Sequence, residues 1–559
     1  MRRRAIIVIG ILLVAGAAFF LIRKKVGFSG FGGSSVEIPF HEPVLAVYNR
    51  FSNSKNLPDT STEHISILLD KAATAGFFSE LGQQLSSKKT VIVTVKLTGP
   101  SDGSLLPAVV GGSYDKAFAQ LFETFKKHTS AVFVRLNPEM EVPVKTYPWQ
   151  YQSSQAYADA FRHFAKLCKV AAPNVQLVWS PAGYPGTEEY YPGDEFTDLI
   201  SITLKSDLEK WLEAYPPYPD LQTEVKRKIH RVRFMPKPVI ILGKEALKTD
   251  SAKAAIEEGL AQVRREASII YSTAVFKNIN KNPARANTPI VGVYDPKLLL
   301  TGSASVNAEH IFIDLAHIQT GSFQKELSAI LKRKHVPIIS FEPWRDQKVR
   351  KDTNVLRNTI NGVYDEEFKK LYGILKASGS VVYLRFAHEM EIPIHRYAWQ
   401  IQDPVLYIKA FRYFMELGGR DEKIKRVWGP AGDRGSMEWW PGEDVVDFVS
   451  IAIYGLPDKN ITDPKMQESF STIYERKFHR VGFSGKPIFV TEFGVKGPED
   501  YKQKWIEDAA ELIKKHKEIA GISYFNLADN PEAWGDIPAP DWSIQRSTFE
   551  TFIQKLSAP

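Results

Sequence analysis

Short apolar runs, each closing on polar or aromatic residues, recur through the second half of the chain. They predict strands beginning near Ile290, Ile311, Pro337, Val381, Lys425, Val446, Pro487 and Gly521. Patterns of helical period separate most of them, as over Asp365 to Ala377, Val405 to Leu417 and Asp500 to Lys517. The link between the first two strands carries no such pattern. Alternation of this kind predicts an α/β fold of the (β/α)8 TIM barrel type. Matching runs in the first half begin near Val44, Ile65, Val91, Ala131, Val175, Leu199, Pro238 and Ser268.

The halves also match each other. At a shift of 250, Arg135 to Gln150 lies ungapped on Arg385 to Gln400 with 8 of 16 positions identical, and Tyr114-Asp115 and Phe161-Arg162 fall on Tyr364-Asp365 and Phe411-Arg412. At a shift of 249, Trp179, Pro181 and Gly183 fall on Trp428, Pro430 and Gly432. Two tandem barrels of about 240 to 270 residues each are expected. The first is placed over 36–280 and the second over 286–559, with the polar stretch Asn278 to Thr288 as the joint.

At the N-terminus, Ala5 to Ile22 is an 18-residue run without a charge, flanked by Arg2-Arg3-Arg4 and Arg23-Lys24-Lys25. A cleaved signal peptide is one reading. The apolar run continues through Phe19-Phe20-Leu21-Ile22 past the small residues at 15–17, which favours an uncleaved signal anchor over 1–25. Gly- and Ser-rich residues 26–35 then form a tether. This places the barrels outside the cytoplasm, on a single-pass membrane protein.

Composition narrows the function. The 559 residues are 44% hydrophobic and 24% charged, as in soluble globular domains. Six of the cations behind the net charge of +8 flank the apolar run, so the folded part is near neutral, which argues against nucleic acid. The single cysteine, Cys168, supports neither a disulfide nor a multi-cysteine metal site. No Gly-rich phosphate loop follows a strand, and His388 and His395 lack a third ligand, so no cofactor or metal is expected.

Functional groups of such barrels sit at the C-terminal ends of strands. Strand four of the second unit ends in Arg385-Phe386-Ala387-His388-Glu389-Met390, and strand seven in Thr491-Glu492-Phe493-Gly494. Glu389 and Glu492 lie 103 residues apart, about three βα units, and face each other across the mouth. Two opposed carboxylates are what glycosidic bond cleavage requires. Trp344, Trp399, Trp428, Trp440 and Trp534 fall just after strands, where they can stack on sugar rings, whereas Trp439 and Trp505 read as packing residues. Tyr454, ending strand six, can reach Glu492, and Asn526 ends strand eight at the pocket.

With Phe341-Glu342-Pro343-Trp344, Tyr397-Ala398-Trp399, Val427-Trp428-Gly429-Pro430 and Trp440-Pro441-Gly442 in this order, the second unit resembles glycoside hydrolase family 26, the β-mannanase-type retaining barrels. The resemblance implies that Glu389 is the general acid/base and Glu492 the nucleophile. It also implies Arg385 and His388 as supporting catalytic groups, and Glu342 and the aromatic residues as substrate contacts. Where the family has Asn after the His-Glu-Met triplet, this chain has Glu391. The expected substrate is a β-linked polysaccharide, mannan first and mixed-linkage glucan or xylan next; the alternative is a noncatalytic polysaccharide-binding or export-associated protein. In the first unit Gly243 takes the nucleophile's position, Pro138 that of His388, Lys205 that of Tyr454 and Lys96 that of Glu342, while Arg135, Glu139 and Trp179 remain. With no carboxylate expected opposite Glu139, the first unit reads as noncatalytic, either a sugar-binding platform or a spacer.

Overall fold

The computed structural model describes residues 33–37, 42–51, 57–86, 90–128, 130–150, 152–209, 215–345, 352–394, 396–456, 468–531, 534 and 538–558. The signal anchor, most of the tether and His395 lie outside the described residues. Among the described residues no helix is long and apolar enough to cross a membrane. The chain divides into two compact units at Arg265/Glu266, earlier than the polar stretch at 278–288. Residues 266–285 belong to the second unit, where Phe276 stacks on Trp440 with centroids 5.7 Å apart and Arg285 donates to the carbonyls of His516 and Ile519.

The first unit contains strands β1 (Ser35–Glu37), β2 (Val44–Tyr48), β3 (Glu63–Leu69), β4 (Val91–Leu97), β5 (Val132–Leu136), β6 (Val175–Trp179), β7 (Leu199–Thr203) and β8 (Val239–Leu242). The second contains β9 (Ile290–Tyr294), β10 (Ala308–Ile313), β11 (Val336–Phe341), β12 (Val382–Phe386), β13 (Ile424–Trp428), β14 (Phe448–Gly455), β15 (Ile488–Val495) and β16 (Ile519–Phe525).

All eight expected strands of the second unit form, pair in parallel and close into a barrel, β16 returning to β9. Their apolar runs are buried on both faces. Ala308, Ile338, Tyr383, Val427 and Phe489 fill the interior, while Phe341 and Phe386 pack outward on Phe414 with centroids 5.3 and 4.4 Å away. The helices at Asp365–Ser378, Pro404–Leu417 and Glu499–Lys515 lie close to their expected positions; the second begins at Pro404 because Asp403 caps it through Val405 N. In place of a helix between β9 and β10, the Asp295 carboxylate gathers Leu300 N, Thr301 N and Thr301 Oγ1 into a turn.

The first unit departs from a TIM barrel. Six parallel strands, β3 to β8, form a curled sheet that does not close, and its two edges are covered by antiparallel strands, β1 on β3 and β2 on β8. The run at Val44 is a strand, as expected, but of opposite direction: pairing beside β8 at Val44↔Leu242 reverses it. The run near Ser268 is not a strand. Ala267–Ser272 is helical and follows the helix Asp250–Arg265 after one residue, because two isoleucines between helix-tolerant residues are too short an apolar run to leave the helix.

Candidate active site

Strand β12 stops at Phe386, and the chain then turns through Ala387 and Glu389, both left-handed with φ of 46° and 54°. Non-glycine residues adopt this conformation only when their surroundings hold them. Here Ala387 N donates to Phe341 O at 3.0 Å and Glu389 N to Gly429 O at 2.7 Å. The indole Nε1 of Trp399 donates to His388 O at 2.7 Å, and Gln400 Nε2 to Glu389 O at 3.0 Å. The backbone of the Glu389 turn is thereby fixed at four points.

Across the mouth, the β15–β16 register shifts between Val490 and Phe493. Adjacent residues of a regular strand point to opposite faces, and this irregularity lets Thr491 and Glu492 both reach Arg385. Buried Arg385 donates Nε to Ser340 Oγ at 2.7 Å, Nη1 to Thr491 Oγ1 at 2.9 Å and Nη2 to Glu492 Oε1. It passes so close to β13 that a Cβ on Gly429 would lie 2.5 Å from its Cδ, which accounts for glycine there. The other Glu492 oxygen accepts from Tyr454 OH at 2.8 Å. Glu492 is thus oriented at both oxygens, whereas the Glu389 carboxyl accepts no hydrogen bond from the described residues.

This difference sets the electrostatics. Burial, and then the charge of Glu492, push the Glu389 carboxyl up to about 8, against the opposing pull of Arg396 and Arg385. Burial, then Arg385 and Arg396, hold His388 well below the usual imidazole range, so it is neutral. Its Nε2 meets Tyr397 OH at 3.2 Å. The site therefore pairs a protonated carboxylic acid with a carboxylate held by arginine and tyrosine.

The aromatic residues divide differently from the expectation. Trp399 and Trp428 are fully buried, as is Trp440, and Trp344 is nearly so. Trp428 and Trp440 pack edge to face at 5.1 Å, and Trp399 stacks under Tyr397 at 4.7 Å. These rings are buried against one another and against the loops that follow the strands, and offer no face to a sugar. Asn526 is likewise engaged: its amide donates to Asp295 at 3.0 Å and its oxygen accepts from Ile544 N at 3.1 Å. Glu342 is buried, taking Trp344 Nε1 at 3.2 Å. Trp534 is half-buried and donates to Asp529 at 3.0 Å; Asp529 also meets Arg396 at 3.3 Å. The half-buried rings at the mouth are Tyr294, Phe312, Phe525 and Tyr454, the first three linked at centroid distances of 4.6 to 6.3 Å. Phe312 also lies 5.8 Å from His388. The sequence pointed to Tyr454 but not to the other three, because tryptophan was the signal followed there, although Tyr294 and Phe525 each end a strand.

Glu391 is a structural tie. One of its oxygens accepts from Gly432 N, Asp433 N and Ser436 Oγ at 2.8 to 3.2 Å, joining the loops after β12 and β13. Burial and Asp433 push its carboxyl up to about 7. A carboxyl raised on folding contributes stability below its unfolded pKa, and that contribution is lost as pH rises through the folded value. Glu391→Gln keeps the acceptor and removes the titration. Its stability relative to the parent should rise between about pH 4.5 and 7, by roughly 1 to 3 kcal/mol, and then level off, as read by denaturant melts across that range.

The first unit repeats much of this frame. Glu139 has φ of 58°, its N donates to Ser180 O at 2.8 Å, and Gln150 Nε2 and Trp149 Nε1 bind the carbonyls of Glu139 and Pro138. Arg135 Nη1 donates to Thr94 Oγ1 at 3.0 Å, at the place where Arg385 donates Nε to Ser340. The expectation that no carboxylate faces Glu139 is overturned. Glu42, from the segment between β1 and β2, enters the mouth, and its Oε2 takes Arg135 Nη1 at 3.0 Å.

No family model matches the chain. It is 23% identical over 231 residues to Endoglucanase H of Acetivibrio thermocellus, covering 39% of this chain and 24% of that protein. It is 32% identical over 116 residues to the β-1,3-xylanase TXYA of a Vibrio species, covering 19% of this chain and 24% of that protein. The chain thus spans about a quarter of the length of these curated relatives. Among solved structures, a GH26 β-mannanase from Bacteroides ovatus matches with TM-score 0.37 and 14% identity, over 50% of this chain and 91% of that one. A family 5 xyloglucanase from Paenibacillus pabuli matches with TM-score 0.31 and 8% identity, over 50% and 99%.

Proposed function

We propose that the protein is a retaining β-glycan endo-hydrolase of the family 26 type whose reaction centre is the second unit. The observation that carries this is the asymmetry of the carboxyl pair: Glu492 fixed by Arg385 and Tyr454, Glu389 free and protonated. In the first step a Glu492 oxygen bonds to the anomeric carbon while Glu389 gives its proton to the departing glycosidic oxygen. Glycosylation removes the charge of Glu492, and with it the repulsion that holds the proton on Glu389. Glu389 then takes a proton from water, which attacks the anomeric carbon and releases Glu492. Arg385 keeps Glu492 aimed through both steps, and neutral His388 holds Tyr397 at the edge of the site. The half-buried rings Tyr294, Phe312 and Phe525 supply the stacking surface.

Support for the reaction class comes from relatives named as an endoglucanase and a β-1,3-xylanase. β-1,4-Mannan remains the first substrate by resemblance, with mixed-linkage glucan and xylan next. The shared contacts around Glu139 and Glu389 support a tandem duplication, and the N-terminal apolar run supports attachment to the outer face of a membrane. Release of reducing ends from these three polysaccharides by the full chain tests the reading, and no release from any of them contradicts it. On the polymer that is cleaved, kcat/KM should fall about tenfold per pH unit above about 8, as Glu389 loses its proton. A rate still rising at pH 9 contradicts the assignment of the acid.

A further inference from the structure

The first unit is not merely a weakened barrel, because its lost nucleophile and its altered topology compensate each other. Gly243 occupies the end of β8, where β15 carries Glu492. A Cβ there would lie 2.7 Å from Leu45 Cδ1 and 3.0 Å from Leu247 Cδ1. Leu45 belongs to β2, the strand that follows Glu42, so a side chain at 243 would have to displace the tips of Leu45 and Leu247. Glu42 is also held in place: its carbonyl takes His64 Nδ1 at 2.8 Å while His64 Nε2 meets Thr94 Oγ1 at 2.7 Å. The same threonine hydroxyl accepts from Arg135, whose guanidinium binds the Glu42 carboxylate. Glu139 stands in the turn geometry of Glu389, and Ser206 Oγ donates to it at 2.7 Å. Both carboxyl groups line one cavity of about 480 Å3, together with Lys96, Tyr147 and Lys205. A volume of this order suits a small ligand.

From this we infer that the first unit is a second glycoside-cleaving centre, with Glu42 delivered by the β1–β2 segment as nucleophile and Glu139 as acid/base. The Glu42 carboxylate bonds to the anomeric carbon as the glycosidic C–O bond breaks, and the leaving oxygen takes the proton of Glu139. Water then bonds to the same carbon, the ester bond to Glu42 breaks, and the proton of water returns to Glu139. Burial and the charge of Glu42 raise the Glu139 carboxyl to about 7, in keeping with the acid role. Lys96, paired with Glu37 at 3.0 Å, and Lys205, paired with Glu224 at 3.2 Å, replace Glu342 and Tyr454 of the second unit, so the ring accepted here differs.

The test uses the full chain with Glu389→Gln and Glu492→Gln, which silences the second unit and separates the two proposals. It is incubated with 2,4-dinitrophenyl 2-deoxy-2-fluoro-β-glycosides of manno, gluco, xylo and glucurono configuration. Fluorine slows both steps and the good leaving group restores the first, so a glycosyl-enzyme accumulates. The expected result with at least one of the four is a dinitrophenolate burst near one equivalent and one glycosyl adduct on the peptide containing Glu42. Adding Glu42→Gln should abolish both while far-ultraviolet circular dichroism stays unchanged. Labelling is read with Glu42 intact, so it does not depend on that variant folding. No adduct from any of the four, or an adduct on another residue, overturns the proposal.

Discussion

With Glu42→Gln also in place, so that only the second unit can react, Glu492→Gln should lower turnover of the cleaved β-glycan by at least ~10³-fold, about 4 kcal/mol of barrier, and Glu389→Gln should do the same on that substrate. The two variants should part on an aryl glycoside with a good leaving group. Departure of dinitrophenolate needs little proton donation, so Glu389→Gln should retain rapid formation of the glycosyl-enzyme and then stall, giving a burst. Glu492→Gln should give none, because the group that attacks carbon is gone. Stopped-flow release of the phenolate separates these outcomes, and comparable loss of the first step in both variants contradicts the roles assigned. Glu389→Gln preserves the backbone bonds that fix its turn, whereas Glu492→Gln keeps the Tyr454 contact but leaves buried Arg385 without its counter-charge, so calorimetric unfolding of that variant accompanies its kinetics.

Arg385→Leu should be almost as damaging to activity and more damaging to the fold. Arg385 is 1% exposed and binds Ser340, Thr491 and Glu492 together. Removing it leaves the buried Glu492 charge unpaired, a change that costs about 3 to 5 kcal/mol in comparable sites. Calorimetric unfolding of the second unit should report that loss, and kcat should fall by roughly 10²-fold or more as Glu492 loses its aim. Arg385→Lys separates charge from geometry. An ammonium restores the charge but cannot bridge three acceptors set for a planar fork, so stability should recover in part and kcat much less. Equal recovery of both would show that only the charge matters.

The barrel of the second unit was legible because its strands are continuous apolar runs broken by amphipathic helices, and because strand ends carry the chemistry. Glu389, Glu492, Arg385 and Tyr454 could be placed from their strands alone, and the structure brings these four together. Direction is not written in a five-residue apolar run, so Val44–Tyr48 could not be read as antiparallel. Exposure is not written in position after a strand either, which is why Trp399, Trp428 and Trp440 read as sugar platforms and are buried supports. Glu42 was invisible for a different reason. Self-comparison finds what two halves share, and at the shift of 250 Glu42 falls on Gly292. A carboxylate that arrives from a new direction has no counterpart to reveal it.

The anomeric form of the first product tests the central claim most directly. Proton NMR of the cleaved polysaccharide, recorded before mutarotation, should show the β anomer first, since two inversions at one carbon restore the original configuration. Initial appearance of the α anomer would contradict the account, because Glu492 would then be activating water and forming no bond to the sugar.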